Sequence, residues 1–130
     1  MFTGKPLPPS HPLPDSVREA GWAAGFLHAA DQAALHFGSN RRVPVQARPV
    51  VEIRNDGPRV VVLPCTSQDN SGHADFREIT SQIEWSRVET RRTFACARYE
   101  ALAPEALHAK IGTLTHPGRI QLLEWLKGRY

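Results

Sequence analysis

The pattern of apolar and polar positions divides the chain into a proline-rich start, a stretch with helical spacing and a longer region of short apolar bursts. Five of the first 14 residues are prolines. Proline blocks both helix formation and strand pairing, so residues 1–14 are predicted to form an extended or disordered arm. The sequence SVRE at 16–19 has the form of a helix capping box, and apolar residues then recur at helical spacing up to Phe37, before Gly38. This pattern predicts an amphipathic helix over residues 16–37.

From residue 41 onwards, β-branched residues arrive in bursts separated by proline and glycine, which is typical of strands. Arg48–Ile53 is predicted to be one strand, Asn55–Pro58 a turn, and Val60–Thr66 an apolar strand that must be covered on both faces. Together they predict a hairpin at the centre of the domain. The rest of the chain favours short strands at 76–80 and 92–98, a helical turn at 104–110, and a final helix that opens at 116.

Composition fits a single domain with one core, because 41% of the 130 residues are hydrophobic and 22% are charged. No run reaches the roughly 20 apolar residues of a membrane span, and the N-terminus does not resemble a signal peptide, so a cytoplasmic protein without a membrane partner is expected. Cys65 and Cys96 lie far apart in apolar runs and are interpreted as buried thiols. His28 and His36 have no further ligand at suitable spacing. We therefore expect no metal site and no cofactor.

The charge of the chain bears on the kind of partner that it binds. The chain carries a formal net charge of +3, and most of its 16 cationic residues are arginines. Because the guanidinium group binds phosphate through two parallel hydrogen bonds, a polyanionic partner is the first interpretation. An arginine-rich genomic composition would explain the same observation with no partner at all.

Two segments carry a resemblance to a known family. The residues RPVV at 48–51, followed by VVVLPCTSQ at 60–68, resemble the MazF/PemK/Kid family of toxin endoribonucleases, and the segment from Ala101 to the final helix resembles that family's C-terminal part. The resemblance spans about residues 47–128. It implies an α+β fold for a single domain over residues 15–130: a small SH3-like antiparallel barrel, here with an N-terminal helix at 16–37 and a C-terminal helix.

The resemblance also implies a function. It points to a metal-independent endoribonuclease that cleaves single-stranded RNA, works as a homodimer and is held inactive by a cognate antitoxin. Arg48 and Thr66 match the family's catalytic arginine and threonine. Arg48, at the start of a strand, is expected to face solvent, so that its loss would hardly change the thermal midpoint.

Other predicted site residues are less closely tied to the resemblance. The general acid and base stay open among Glu52, His73, Asp75 and Arg98. A basic cluster at 87–98 with interleaved aromatic rings predicts an RNA groove, although a dimer surface or a solvated strand pair would look the same. The predicted RNA-binding residues are Ser67, Gln68, Arg42, Arg87, Arg92 and Arg98.

The chain also departs from the family pattern. The Glu-Gln-x-Gly loop that normally precedes the Arg-Pro pair is absent, and Ala95 and Ala97 replace an arginine and an aspartate found in some members. If a helix at 16–37 stands where the first strand normally runs, the sheet has an open edge, and we expect this helix to cap it through Phe26, Leu27 and Phe37. Two alternatives follow: a catalytically weakened barrel that binds nucleic acid or protein, and a gyrase-targeting toxin similar to CcdB.

Overall fold

The computed structural model describes residues 25–38, 46–86 and 91–128. These residues form eight strands and one helix, with three short 3-10 turns at Gln32–Ala34, Thr80–Gln82 and Pro104–Ala106. The regular elements are β1 (Phe26–Asp31), β2 (Ala47–Asn55), β3 (Val60–Thr66), β4 (Phe76–Glu78), β5 (Ile83–Trp85), β6 (Phe94–Cys96), β7 (Glu100–Leu102), β8 (Leu107–Leu114) and α1 (His116–Gly128).

The strands form one antiparallel sheet in the order β4-β6-β3-β2-β1-β8-β5, and β7 pairs with the first half of β3. The second half of β3 pairs with β6, so β3 pairs with two different strands along one edge and with β2 along the other. The predicted antiparallel arrangement and the predicted C-terminal helix are confirmed. Within the part of the chain that the structure describes, no helix is long and apolar enough to cross a membrane.

The β2–β3 hairpin follows the sequence prediction closely. Val50 opposes Pro64 and Asn55 opposes Val60, and the turn between the strands places Gly57 at a φ of +90°, where a side chain would be strained. All seven residues of β3 are buried, because the strand lies between two cores. Val61, Leu63 and Cys65 face the core that α1 covers, whereas Val60 and Val62 belong to a second core on the opposite face of the sheet.

The predicted helix at 16–37 is wrong for its described part, because residues 26–31 form strand β1. This strand pairs with β2 on one side and β8 on the other. Leu27 belongs to the core under α1, and Ala30 belongs to the second core. Two buried residues three positions apart are typical of a helix, but here they point to opposite faces of a strand that is covered on both sides. Residues 16–24 lie outside the described part of the chain.

The expected helical cap over an open sheet edge is therefore also wrong. Phe26 and Leu27 are part of β1 itself, which occupies the interior of the sheet. The helical turn predicted at 104–110 is correct only for Pro104–Ala106, because β8 begins at Leu107. The arm predicted at residues 1–14 lies outside the described residues.

Candidate active site

The structure brings Arg48 and Thr66 together at one end of the central hairpin. Arg48 lies near the start of β2 and Thr66 ends β3. The register that pairs Val50 with Pro64, continued by two residues, places Arg48 opposite Thr66. In agreement with this placement, Arg48 Nη1 donates to the carbonyl oxygen of Cys65 at 3.1 Å. Because both positions are an even number of residues from a directly opposed pair, their side chains share one face of the sheet.

Arg48 is buried, with only 4% of its surface exposed, which corrects the expectation of a solvent-facing residue. Its Nε donates to Gln32 Oε1 at 2.8 Å, and the guanidinium carbon lies 4.8 Å from the centroid of the Phe37 ring. The oxygens of Gln32 and Cys65 are both neutral. These two bonds therefore fix the guanidinium plane without neutralising its charge.

The segment Leu35–Gly38, which we call the cover segment, lies over the guanidinium. Leu35 anchors it in the second core. Gly38 has a φ of +74°, which strains any other residue, and a Cβ atom there would lie 2.5 Å from Arg48 Nη2, so a side chain at this position would have to displace the guanidinium. Gln32 Nε2 donates to the carbonyl oxygen of Phe37 at 2.7 Å, which ties the same glutamine to both the cover segment and Arg48.

Glu100 holds the cover segment from the opposite side. Its two carboxylate oxygens accept hydrogen bonds from the backbone N–H groups of His36 at 2.8 Å and Phe37 at 3.0 Å. Glu100 lies on β7 and opposes Val62 of β3, so the carboxylate is fixed to the strand that ends in Thr66. Sequence reasoning missed Gln32, Phe37 and Glu100 as parts of the site, and a separation of more than 60 residues between Glu100 and its partners leaves no local signal.

Thr66 is 6% exposed, and its Oγ1 accepts a hydrogen bond from the backbone N–H of Gln68 at 3.2 Å. This bond is typical of the hydroxyl-capped turns that end strands. Ser67 and Gln68, two of the predicted RNA-binding residues, follow directly and are exposed. The structure therefore places both on the loop next to Arg48 and Thr66.

An aromatic row connects the cover segment with the β3–β4 loop. The ring of Phe37 lies 6.1 Å from that of Phe76, and His73 meets Phe76 edge-on at 5.0 Å. His73 Nδ1 accepts a hydrogen bond from the backbone N–H of Asp75 at 3.1 Å. A neutral imidazole that accepts at Nδ1 carries its proton on Nε2. Of the proposed acids and bases, His73 and Asp75 thus belong to this end of the sheet.

Glu52 lies elsewhere on the same strand. Its Oε1 is 3.0 Å from His28 Nε2. Glu52 lies two residues beyond Val50 on β2, away from Arg48, and His28 opposes Val50 on β1. Val50 itself is buried in the second core. The structure does not bring Glu52 together with the candidate catalytic pair.

Arg92 is exposed and paired with two carboxylates. It donates to Glu78 Oε2 at 3.0 Å and to Asp69 Oδ2 at 3.1 Å, and its guanidinium lies over the Phe94 ring. The hydrogen bond from Arg92 holds the pKa of Glu78 below its ordinary value, and hydrogen bonds from Ser71 first, then Arg92, lower the pKa of Asp69. The predicted RNA-binding residue Arg92 is therefore charge-compensated. Arg98 is half-buried, and Arg42 and Arg87 lie outside the described residues.

Both cysteines are free and buried, as the sequence predicts. Burial raises the pKa of Cys96 to about 11 and also raises the pKa of Cys65. Neither thiol therefore has the thiolate character that a nucleophile or a metal ligand needs. Among the described residues, no three His, Cys, Asp or Glu side chains cluster as they would around a metal ion.

Comparison with known proteins identifies the fold. No protein-family profile and no curated sequence matches the chain. Among solved structures, it is similar to the Mycobacterium tuberculosis toxin MazF-mt6, with a TM-score of 0.59 and 16% identity over 80% of this chain and 94% of that one. It is also similar to an endoribonuclease in complex with its cognate antitoxin from Mycobacterial species, with a TM-score of 0.53 and 17% identity over 81% and 89% of the two chains. The chain has a MazF-like fold, as its sequence motifs predict.

Proposed function

We propose that this chain is a toxin endoribonuclease that cleaves single-stranded RNA without a metal ion. The observation that carries the proposal is the position of Arg48 and Thr66 at adjoining ends of β2 and β3, on one face of a MazF-like sheet. This pair supplies a planar cation and a hydroxyl donor, which are the two groups that a developing phosphorane needs.

RNA cleavage by the neighbouring 2′-hydroxyl has three chemical requirements. A base removes the proton of the 2′-hydroxyl, donors stabilise the doubly charged phosphorane, and an acid protonates the departing 5′-oxygen. In the proposed reaction the Arg48 guanidinium binds the non-bridging oxygens, and Thr66 Oγ1 donates a further hydrogen bond where charge develops. Each donor of this kind contributes roughly a hundredfold to a thousandfold in rate.

For the acid, the geometry favours His73 over Glu52, Asp75 and Arg98. To protonate the departing oxygen the ring must first be an imidazolium, so Nδ1 has to give up the hydrogen bond that it accepts from the Asp75 backbone, and Nε2–H then donates the proton. Asp75 is only 1% exposed, and Glu52 is bound to His28 away from the pair. His73 also contacts Phe76, whose ring adjoins the Phe37 ring over Arg48.

The partners follow from the same proposal. One similar structure is an endoribonuclease bound to its cognate antitoxin, and we infer that an antitoxin likewise restrains this chain in the cytoplasm, with a homodimer as the active form. Ser67 and Gln68 on the exposed β3–β4 loop, together with Arg42, Arg87 and Arg98, are the proposed contacts to RNA. Arg92 joins them only if its bonds to Glu78 and Asp69 are exchanged for phosphate.

The decisive experiment is a digest of a defined RNA by the purified protein with EDTA present, mapped by primer extension. The proposal expects discrete cleavage sites within single-stranded regions, unchanged by EDTA and lost in Arg48→Ala. Cleavage that EDTA abolishes would refute the metal-free mechanism. Growth arrest with intact RNA and inhibited gyrase would instead identify a CcdB-like toxin.

The second candidate is a barrel that binds RNA or protein without cutting. The burial of Arg48 favours it, because a guanidinium that is 4% exposed does not meet a phosphate in this conformation. Retention of RNA on the protein with no cleavage, in wild type and in Arg48→Ala alike, would establish this reading.

A further inference from the structure

The conformation of the cover segment is incompatible with a phosphate bound to Arg48. Two of the donor positions of the guanidinium are used by Gln32 and by the Cys65 carbonyl, and its face lies against the Phe37 ring. The remaining Nη2 side meets Gly38 so closely that even one added carbon would lie 2.5 Å away. A phosphate oxygen needs about 2.7–2.9 Å to a charged nitrogen, and a phosphate group is much larger than a Cβ atom. The cover segment and a phosphate therefore compete for the same space.

The bonds that hold the cover segment identify what keeps it in place. Leu35 anchors one end in the second core, and Gln32 binds the Phe37 carbonyl. The two N–H groups of His36 and Phe37 both donate to Glu100. Hydrogen bonds to a charged acceptor are roughly twice as strong as neutral ones, so Glu100 makes the strongest polar contact of the segment.

We propose that the cover segment is an intramolecular inhibitor of the Arg48 site and that the Glu100 carboxylate is the latch that keeps it closed. Opening requires the two N–H groups to leave Glu100 and the Phe37 ring to leave the guanidinium. RNA then binds to the uncovered arginine, so its apparent affinity depends on the fraction of molecules in which the segment is open. The RNA part of this inference rests on the proposed function, whereas the burial of Arg48 by the latch does not.

The first test measures the accessibility of Arg48 without any RNA. Wild type, Glu100→Gln and Glu105→Gln are treated with phenylglyoxal, and modification of each arginine is followed by peptide mass spectrometry. Glu105 is an exposed carboxylate on the neighbouring turn, so its variant carries the same charge change. Arg59, exposed in the β2–β3 turn, is the internal reference. We expect Arg48 in Glu100→Gln to react at least fivefold faster than in the other two proteins, with an unchanged rate at Arg59.

The second test measures binding of a 2′-O-methyl RNA oligonucleotide, which cannot be cleaved by its own hydroxyl, and cleavage of the matching RNA. The inference expects Glu100→Gln to bind at least threefold more tightly and cut faster than Glu105→Gln. Equal Arg48 reactivity in all three proteins would overturn the latch, whatever the RNA result. Slower cutting by Glu100→Gln with unchanged Arg48 reactivity would also overturn it, and would make Glu100 a positioning residue. Faster Arg48 modification with no RNA binding by any protein would keep the latch and refute the endoribonuclease.

Discussion

Arg48 and Arg92 lie in or beside one small sheet but differ in solvent exposure and in the charge of their hydrogen-bond partners. Arg48 is 4% exposed and donates to two neutral oxygens, while the side chain of Arg92 is 48% exposed and donates to two carboxylates. Each also lies over a phenylalanine ring, Phe37 and Phe94 respectively. The buried cation is thus held in place with its charge uncompensated by those oxygens, whereas the exposed one is neutralised where it stands.

The comparison teaches that exposure is a poor guide to which cation serves an anionic ligand. A guanidinium bound to carboxylates must exchange one anion for another, so it gains little from phosphate. At the two positions where Arg48 binds the neutral oxygens of Gln32 and Cys65, phosphate does not have to replace a carboxylate, so it gains more there. We therefore expect substitution of Arg48 to change RNA cleavage and substitution of Arg92 to change the local order of its surroundings.

The largest effect is expected for Arg48→Ala. Cutting should fall at least a hundredfold, because a principal donor to the phosphorane is lost. The free energy of unfolding should fall by about 2–4 kcal/mol, since Gln32 Oε1 and the Cys65 carbonyl both lose a buried donor. RNA digestion and urea unfolding measure the two losses.

Arg48→Lys separates charge from shape at the same position. Lysine retains the positive charge but not the planar fork, so we expect a loss of cutting close to that of alanine. Cutting by Arg48→Lys at the wild-type rate would contradict the need for a planar guanidinium, because any buried cation at this position would then suffice.

The next largest effect is expected for Thr66→Val, with Thr80→Val as its counterpart beside Arg92. Thr66→Val should cut at least tenfold more slowly while remaining folded, because it removes the hydroxyl that donates in the proposed reaction and otherwise takes away only the acceptor of the Gln68 N–H. Thr80 Oγ1 accepts from the Thr93 backbone and donates to Glu78. Thr80→Val should therefore destabilise the protein by about 1–2 kcal/mol yet cut at the wild-type rate. The opposite pattern of cutting would place the active site at Arg92.

A smaller gain is expected when Arg92 is released from its partners. The double variant Asp69→Asn, Glu78→Gln should bind single-stranded RNA a few-fold more tightly. Its slope of log affinity against log salt should steepen by about 0.7, the value for one added phosphate contact. Glu84→Gln, Glu124→Gln changes two exposed carboxylates elsewhere and is the matched control. An equal gain in the control would show that net charge alone, rather than Arg92, is responsible.

The smallest effect concerns pH. Asp69 and Glu78 have pKa values held below their ordinary values of 3.8 and 4.5, chiefly by bonds from Ser71 and Arg92. A carboxyl whose pKa is lowered by folding stabilises the fold at pH values above its ordinary pKa. This contribution is lost as the pH falls through the pKa that the carboxyl has in the folded state. Urea midpoints at pH 7 and pH 3 should therefore differ more in wild type than in Arg92→Ala. Identical differences would show that the exposed network contributes nothing to stability.

The sequence reveals the central hairpin and the short strands β4 and β6, but not β1. β3 has the predicted bounds, Val60–Thr66, because a continuous β-branched run between a turn and a proline–cysteine step has few other interpretations. The prediction of a helix at the position of β1 was wrong because Leu27 and Ala30 are buried on opposite faces of the sheet. That difference depends on two cores contributed by distant residues, and no local pattern encodes it.

The same limit applies to the candidate site. The Arg-Pro and Pro-Cys-Thr motifs lead to Arg48 and Thr66, which the hairpin register then brings together. The burial of Arg48 depends on Phe37 of the cover segment and on Glu100 of β7, which binds that segment. The solvent exposure of Arg48 was therefore predicted wrongly, and its catalytic role stays a prediction.

The pairing of β1 with β8 has a kinetic consequence. Leu27 opposes Gly112, so this seam joins the two ends of the described chain, while β2 and β3 meet across a short turn. Because long loops lose more entropy on closure, the hairpin should form early and the seam late. In stopped-flow experiments, Val61→Ala should mainly slow folding and Leu27→Ala should mainly speed unfolding. Since Gln32 and the cover segment follow directly from β1, we expect the surroundings of Arg48 to be completed late in folding, after β8 has been synthesised.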